Sequence, residues 1–310
     1  MKIGIIGRSE LTYNAMLLAK NRGHDIVFIV TSKEALEYNI SSEDFKNFAT
    51  ENNIPFIHDP KISASKLINI VNTTFPEICI SVNYSGVIST DVIDLFPYGI
   101  LNAHGGDLPR YRGNACQAWA IINGEKRMGL CIHKMIGGEL DSGDIIARSY
   151  KEIGINTRIG ELYEWMLDEV PDLLIEGINK ISENSEYILE TQSQEKNKAL
   201  RCYPRKPEDG KINWNHSSIN ILRLINASSE PFSGAYCEYE NTKFIIWRAE
   251  LYNDEEVYCG IPGQVSNINQ NENFLIIITG KGKIKLTEVE FNGMRTTPNK
   301  IIKSIRKRLK

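Results

Sequence analysis

At 310 residues, with 42% hydrophobic and 24% charged residues and a net charge of −3, the chain has an ordinary globular composition and a length suited to about two domains. That charge excludes a global pull towards nucleic acid or an anionic membrane, and no apolar run approaches the roughly 18 residues that span a bilayer. Cys79, Cys116, Cys131, Cys202, Cys237 and Cys259 form no CxxC pair and have no histidine at ligand spacing, so neither disulfides nor a metal is expected, and reduced thiols in a cytoplasmic protein are.

The opening MKIGIIGRSE breaks its apolar run at Gly7-Arg8 and reads as a first strand rather than a signal peptide. Residues 2–7, 25–30, 55–58 and 78–82 are short, β-branched and bounded by turn formers, as buried parallel strands are. Between them, residues 11–21, 42–53 and 63–74 have helical spacing, with Ser42, Asp44 and Ser63 offering N-cap oxygens. Gly4 and Gly7 suggest a dinucleotide fingerprint, but they stand three apart with Glu10 at the third glycine place. A tight strand-to-helix turn explains both.

Further strands are expected at residues 99–104, 129–135 and 144–149, and a long helix at 157–182 with Leu162, Trp165, Met166, Val170, Leu173, Leu174 and Ile178 on one face. This alternation predicts an α/β domain, a doubly wound, mostly parallel sheet of the Rossmann-like kind, over residues 1–185. Residues 186–203 read as a polar linker. Beyond it, strand-like pieces at 236–240, 243–250, 263–268, 273–278 and 283–290, preceded by a helix at 217–227, predict a small β-rich, barrel-like domain over 204–310. The tail 300–310 carries six cations, with Ile301, Ile302, Ile305 and Leu309 as an apolar stripe, and reads as a terminal helix with a solvated face.

Chemistry concentrates in LNAHGGDLPRYRGNACQ, residues 101–117. Asn102 and His104 are two apart on a strand, so both point to one face at its exit, where ligands bind in open α/β sheets. Gly105 and Gly106 permit a sharp turn and leave space beside the imidazole, and Asn114 offers a cap for the helix carrying Gln117 and Trp119. Asp141 lies in the Gly-rich GGELDSGD. Taken singly, each residue has an ordinary structural explanation. Their order and spacing together do not.

The stretch LNAHGGDLPRYRGN, followed by Ile132-His133-Lys134-Met135 and then LDSGDII, resembles the catalytic signature of the folate-dependent formyltransferases. PRKPEDGKINW (204–214) and PFSGA (231–235) are similar to the start of that family's C-terminal domain, which is OB-like. The resemblance implies catalytic Asn102, His104 and Asp141, and 10-formyltetrahydrofolate as co-substrate. An amine attacking a formyl carbon builds up an oxyanion and a protonated nitrogen. The Asn102 amide suits the oxyanion, while His104 can take the amine proton or bond the oxyanion, with Asp141 raising its pKa and fixing its tautomer. The pterin is expected on backbone groups around Ser85, Gly86, Val87, Ile88, Gly137, Gly138, Leu140 and Asp144.

The amine is open between three acceptors. An initiator-tRNA enzyme (methionyl-tRNA formyltransferase) should carry a basic insertion after its second strand, but residues 31–53 are acidic and contain no Arg. A single-domain purine-pathway enzyme would not need the second domain. The HGGDLPRYRGN variant resembles the branch that formylates amino sugars linked to a nucleoside diphosphate. A UDP- or dTDP-4-amino-4,6-dideoxyhexose, made for surface polysaccharide or nonulosonic acid synthesis, is the implied substrate. The acceptor contacts expected are Gly105, Gly106, Arg110, Arg112 and Arg205, with Tyr203, Trp214 and Phe232 either stacking on a base or serving as core aromatics. No nucleic-acid or membrane partner is expected, and a homodimer is left open. An NAD-dependent or non-catalytic nucleotide-sugar-binding protein is the alternative of another class.

Overall fold

The computed structural model describes residues 1–193, 195 and 197–310, and divides them into two compact units. The first comprises residues 1–116, 128–151 and 163–202, and the second residues 117–127, 152–162 and 203–310.

The first unit is built on a seven-stranded sheet. In chain order its elements are β1 (Lys2–Gly7), α1 (Glu10–Asn21), β2 (Asp25–Thr31), α2 (Ser42–Glu51), β3 (Phe56–His58), α3 (Ala64–Thr74), β4 (Ile78–Val82), α4 (Thr90–Ile93), β5 (Ile100–His104), β6 (Arg112–Gly113), α5 (Cys116–Asn123), β7 (Arg127–Lys134), β8 (Ile145–Glu152), α6 (Ile159–Glu183) and β9 (Arg201–Cys202), of which α5, β7, β8 and α6 extend into the second unit. The sheet order is β3-β2-β1-β4-β5-β7-β8. Pairing from β3 through β5 is parallel, and β5 with β7 is antiparallel. Every residue of β4 is buried, as expected of a strand covered on both faces. A Cβ on Gly4 would stand 2.2 Å from the Phe28 ring, and one on Gly7 2.3 Å from the Thr12 hydroxyl. Close packing, rather than the expected turn geometry, requires these glycines.

Local details depart from the sequence expectations by one or two residues. Ser41, not Ser42, caps α2: the Asp44 carboxylate accepts from the Ser41 N–H at 2.7 Å and hydroxyl at 2.5 Å. With α5 starting at Cys116, its cap position is Ala115, at φ +52, so Asn114 is displaced from the cap and donates its N–H to the Cys202 carbonyl instead. Much of the expected linker is built into the first unit. Ile145 exchanges backbone hydrogen bonds with Leu189 and Glu190, Gln192 is buried, and β9 pairs in parallel with β6. Gln194 and Lys196, part of the same expectation, lie outside the described residues.

The second unit holds α7 (Ser218–Ser228), β10 (Ala235–Tyr239), β11 (Thr242–Tyr252), β12 (Val265–Asn269), β13 (Phe274–Ile278), β14 (Lys283–Phe291), β15 (Met294–Thr296) and the single turn α8 (Pro298–Ile301). Its sheet runs β10-β11-β14-β13-β12 with antiparallel pairing, β15 adding to β14. Ser217 caps α7 by accepting from the Asn220 N–H. Ile221, Leu222 and Ile225 of α7 pack with Phe244, Ile246, Leu275 and Leu286 of the sheet.

The tail is not the expected terminal helix. After α8 it extends, and Lys310 exchanges two backbone hydrogen bonds with Glu238 of β10 while Leu309 donates to Gly263, beside β12. It thereby bridges the two ends of the sheet, removing the open edges that unpaired strands present. Ile302 and Leu309 are buried and Ile305 is exposed, so the stripe serves an extended strap instead of one helical face.

Candidate active site

The site sits at the C-terminal end of β5. Asn102 and His104 project to one face, and the antiparallel register sets His133 of β7 opposite Asn102. The Asn102 Nδ2 lies 3.0 Å from His133 Nε2, and His133 Nδ1 is 3.0 Å from the Lys134 carbonyl. A carbonyl only accepts, so Nδ1 carries a proton there, and Nε2 lies between the Asn102 amide and the Asp141 carboxylate.

Asp141 lies between the two imidazoles. One carboxylate oxygen is 3.5 Å from His104 Nδ1 and accepts from the Gly113 N–H at 2.8 Å, while the other is 3.5 Å from His133 Nε2. Asp141 itself is held at φ +48, a left-handed conformation uncommon outside glycine. Burial would raise its pKa, but His104, His133 and the Gly113 N–H outweigh it and hold the carboxyl well below the usual range. It is therefore an anion at neutral pH. On its other side, His104 Nε2 donates to the Tyr111 carbonyl at 2.6 Å, an acceptor it shares with the Cys116 thiol at 2.9 Å. A hydrogen bond with Cys202, together with burial, pushes the Cys116 thiol far up, so it remains protonated and is no nucleophile.

The structure thus brings Asn102, His104 and Asp141 together, and adds His133, which the sequence signature contains without a role assigned to it, and the Tyr111 carbonyl, which it does not single out. Gly106 is needed beside the imidazole. A Cβ there would meet the Tyr111 oxygen at 2.3 Å and His104 Nε2 at 2.6 Å, so the missing side chain makes room for the packing of His104. Gly105 is buried beside it.

Among the expected pterin contacts, the Ser85 hydroxyl donates to Ser32, Ile88 is buried in the core, and Val87 is 84% exposed. Gly86 closely approaches the Pro60 carbonyl, and Gly137 packs on Thr90. Gly138, at φ +77, has open space where a side chain would stand, and Leu140 is exposed. The Asp144 carbonyl accepts from the Lys134 N–H.

The expected acceptor contacts divide between the units. Arg110 is exposed, with its guanidinium 5.6 Å from the Tyr111 ring centroid. Arg112 donates through Nε and Nη2 to Gln192 Oε1 at 3.2 and 2.8 Å, so that edge of the guanidinium faces protein rather than a diphosphate. In the second unit, Arg205 is similarly engaged, donating to the Ala227 and Asp209 carbonyls and the Ser228 hydroxyl. Trp214 is 4% exposed within the core, so it stacks on no base, whereas Tyr203 and Phe232 are exposed at 67% and 41%. Among the described residues no group of three or more His, Cys, Asp or Glu is arranged to hold a metal, and no helix is long and apolar enough to cross a membrane.

Comparison with known proteins gives the family. A family model described as "Formyl transferase" matches residues 1–178, and one described as "Formyl transferase, C-terminal domain" matches residues 205–305. A methionyl-tRNA formyltransferase of Acetivibrio thermocellus is 26% identical over 298 residues, covering 95% of this chain and 93% of its own. A sugar 3N-formyl transferase solved with dTDP and 5-N-formyl-THF shares the fold at a TM-score of 0.66 and 22% identity, over 95% of this chain and 98% of its own. An N-formyltransferase of Helicobacter canadensis, solved with folinic acid and dTDP-3-aminofucose, gives 0.66 at 20% identity, over 92% and 98%. The first family model alone spans more than half of the sequence, and this chain belongs to the formyltransferase family.

Proposed function

We propose that this enzyme transfers the formyl group of 10-formyltetrahydrofolate to the amine of an amino-dideoxy sugar linked to a nucleoside diphosphate, of the UDP- or dTDP-4-amino-4,6-dideoxyhexose kind. Its product would serve surface polysaccharide or nonulosonic acid synthesis in the cytoplasm. The observation that carries the acceptor class is the charge of the segment after β2, residues 31–53, whose sequence holds Glu34, Glu37, Glu43, Asp44 and Glu51 against Lys33 and Lys46, with Lys46 already paired with Glu43. Such a surface repels a polyphosphate backbone. The two structural neighbours named for sugar and N-formyl transfer support the same class.

Folate supplies the formyl carbon. The exposed apolar side chains of Val87, Ile136 and Leu140, and the open backbone at Gly138, suit a flat ring with a polar edge. Asn102 has one amide N–H directed at His133 and a second to donate to the formyl oxygen as charge develops there, worth on the order of 3 kcal/mol. With its proton on Nδ1 towards Asp141 and its Tyr111 bond released, His104 takes the proton of the attacking amine at the free Nε2. It passes that proton to the folate N10 as the bond between N10 and the formyl carbon breaks, while Asp141 balances the transient imidazolium from the Nδ1 side. The Cys116 thiol keeps the released Tyr111 carbonyl satisfied. We further propose that the folate-binding and catalytic groups lie in a domain of residues 1–185 and that 204–310 forms the second domain.

Methionyl-tRNA is the second reading, favoured by the name of the Acetivibrio relative and by six exposed cations in the tail. Offering a panel of nucleotide-linked amino sugars and methionyl-tRNA with the same formyl donor tests the choice. Formylation of a sugar supports the proposal, and formylation of the tRNA alone overturns it.

A further inference from the structure

Gln192 is 1% exposed, lies in a stretch whose composition reads as linker, and has no place in the chemistry above. Its side chain nevertheless makes four hydrogen bonds. The amide nitrogen donates to the Asp141 carbonyl at 3.0 Å and the Gly143 carbonyl at 2.6 Å, and the amide oxygen accepts from Arg112 Nε at 3.2 Å and Nη2 at 2.8 Å. These partners leave one orientation. A flipped amide would set its oxygen against two carbonyls and its N–H groups against a guanidinium.

The Gln192 bonds span the residue that holds the unusual backbone. Asp141 at φ +48 must be kept there by its surroundings, since a non-glycine residue relaxes out of that region when its restraints are removed. Two short strand residues reach Asp141 by separate routes. The Gly113 N–H takes the carboxylate directly, and Arg112 acts through Gln192 on the main-chain carbonyl. One route fixes where the carboxylate points, and the other fixes the backbone that carries it.

We propose that Gln192, locked by Arg112, is a positioning residue that sets the carboxylate of Asp141 between His104 and His133, and that Arg112 serves this clamp rather than the diphosphate of the acceptor. The proposal rests on the reading that Asp141 works with His104. Losing the clamp lets the Asp141 loop relax and lengthens both 3.5 Å approaches to the imidazoles, which acts on turnover and not on substrate affinity.

The test compares wild type with Gln192→Ala, Gln192→Glu and Arg112→Lys, using hydrogen exchange of the 137–144 amides and steady-state kinetics on whichever acceptor the wild type formylates. Gln192→Ala should lower kcat about 10-fold or more while both KM values move less than about 3-fold, with faster exchange confined to the loop and an unchanged melting curve. Gln192→Glu keeps the Arg112 contact but sets a carboxylate against two carbonyls, so it should regain activity as acid protonates it and restores one donor, giving a kcat–pH profile displaced from that of wild type. Arg112→Lys should repeat the kcat loss more mildly. A folded Gln192→Ala enzyme with wild-type loop exchange, or one whose loss is wholly in the acceptor KM, overturns the proposal. Should the wild type formylate no acceptor offered, the functional reading fails by itself, and loop exchange alone decides whether Gln192 holds Asp141.

Discussion

Replacing Gly106 with Ala is the smallest change that should disable the site. The new Cβ would stand 2.3 Å from the Tyr111 carbonyl oxygen and 2.6 Å from His104 Nε2, short of an ordinary 3.4 Å contact by about 1.1 and 0.8 Å. Gly106 is not among the positive-φ glycines, so alanine meets no backbone strain and the effect is steric alone. Neither obstacle can yield easily. The carbonyl is main chain and accepts two hydrogen bonds, and the imidazole is packed against Asp141. Overpacking of this kind costs about 1–3 kcal/mol of stability, and a displacement near 1 Å at a proton-transferring group costs about 100-fold in rate. Thermal melts and kcat/KM measured on one preparation should therefore show a drop of a few degrees and a loss on the order of 10²-fold. A variant with wild-type kcat/KM and melting temperature would refute the assigned packing of His104.

Three further outcomes follow from the same geometry. Asp141 has a depressed folded-state pKa, so its contribution to stability is present above its unfolded value of about 3.9 and is lost as pH falls through the lower folded value. Urea midpoints should separate wild type from Asp141→Asn most at pH 7 and progressively less below about pH 4, and a pH-independent gap would contradict the ionic account. Trp214→Phe should melt lower while leaving the acceptor KM within about 2-fold, because the ring is core and touches no base; a 10-fold rise in KM would return it to the binding site. Ending the chain after Ile302 should lower the melting temperature and promote aggregation through the uncovered sheet ends, whereas replacing Lys303, Arg306 and Lys307 by Ser should leave the fold intact, as read by circular dichroism and light scattering.

The parallel core was legible because strands such as Ile78–Val82 are buried on both faces and therefore continuously apolar. Asn102 and His104 were legible because strand alternation needs no partner. His133 was not, since its role depends on an antiparallel register between distant segments that one strand's pattern cannot reveal. Gln192 was hidden by the polarity of its neighbours: a single buried side chain in a polar stretch leaves no periodic signal. The tail misled because Ile302 and Leu309, seven residues apart, fit a helical face as well as an extended strap, and only the pairing of Lys310 with Glu238 decides.

The acceptor is tested most directly by competition. Equal concentrations of methionyl-tRNA and a dTDP- or UDP-linked 4-amino-4,6-dideoxyhexose are mixed with 10-formyltetrahydrofolate and limiting enzyme, and the formylated products are counted by mass spectrometry. The acidic surface after β2 predicts formyl sugar as the dominant product, unchanged when salt is raised, because no phosphate backbone has to be neutralised. Formyl-methionyl-tRNA as the main product, falling steeply with salt, would contradict the account.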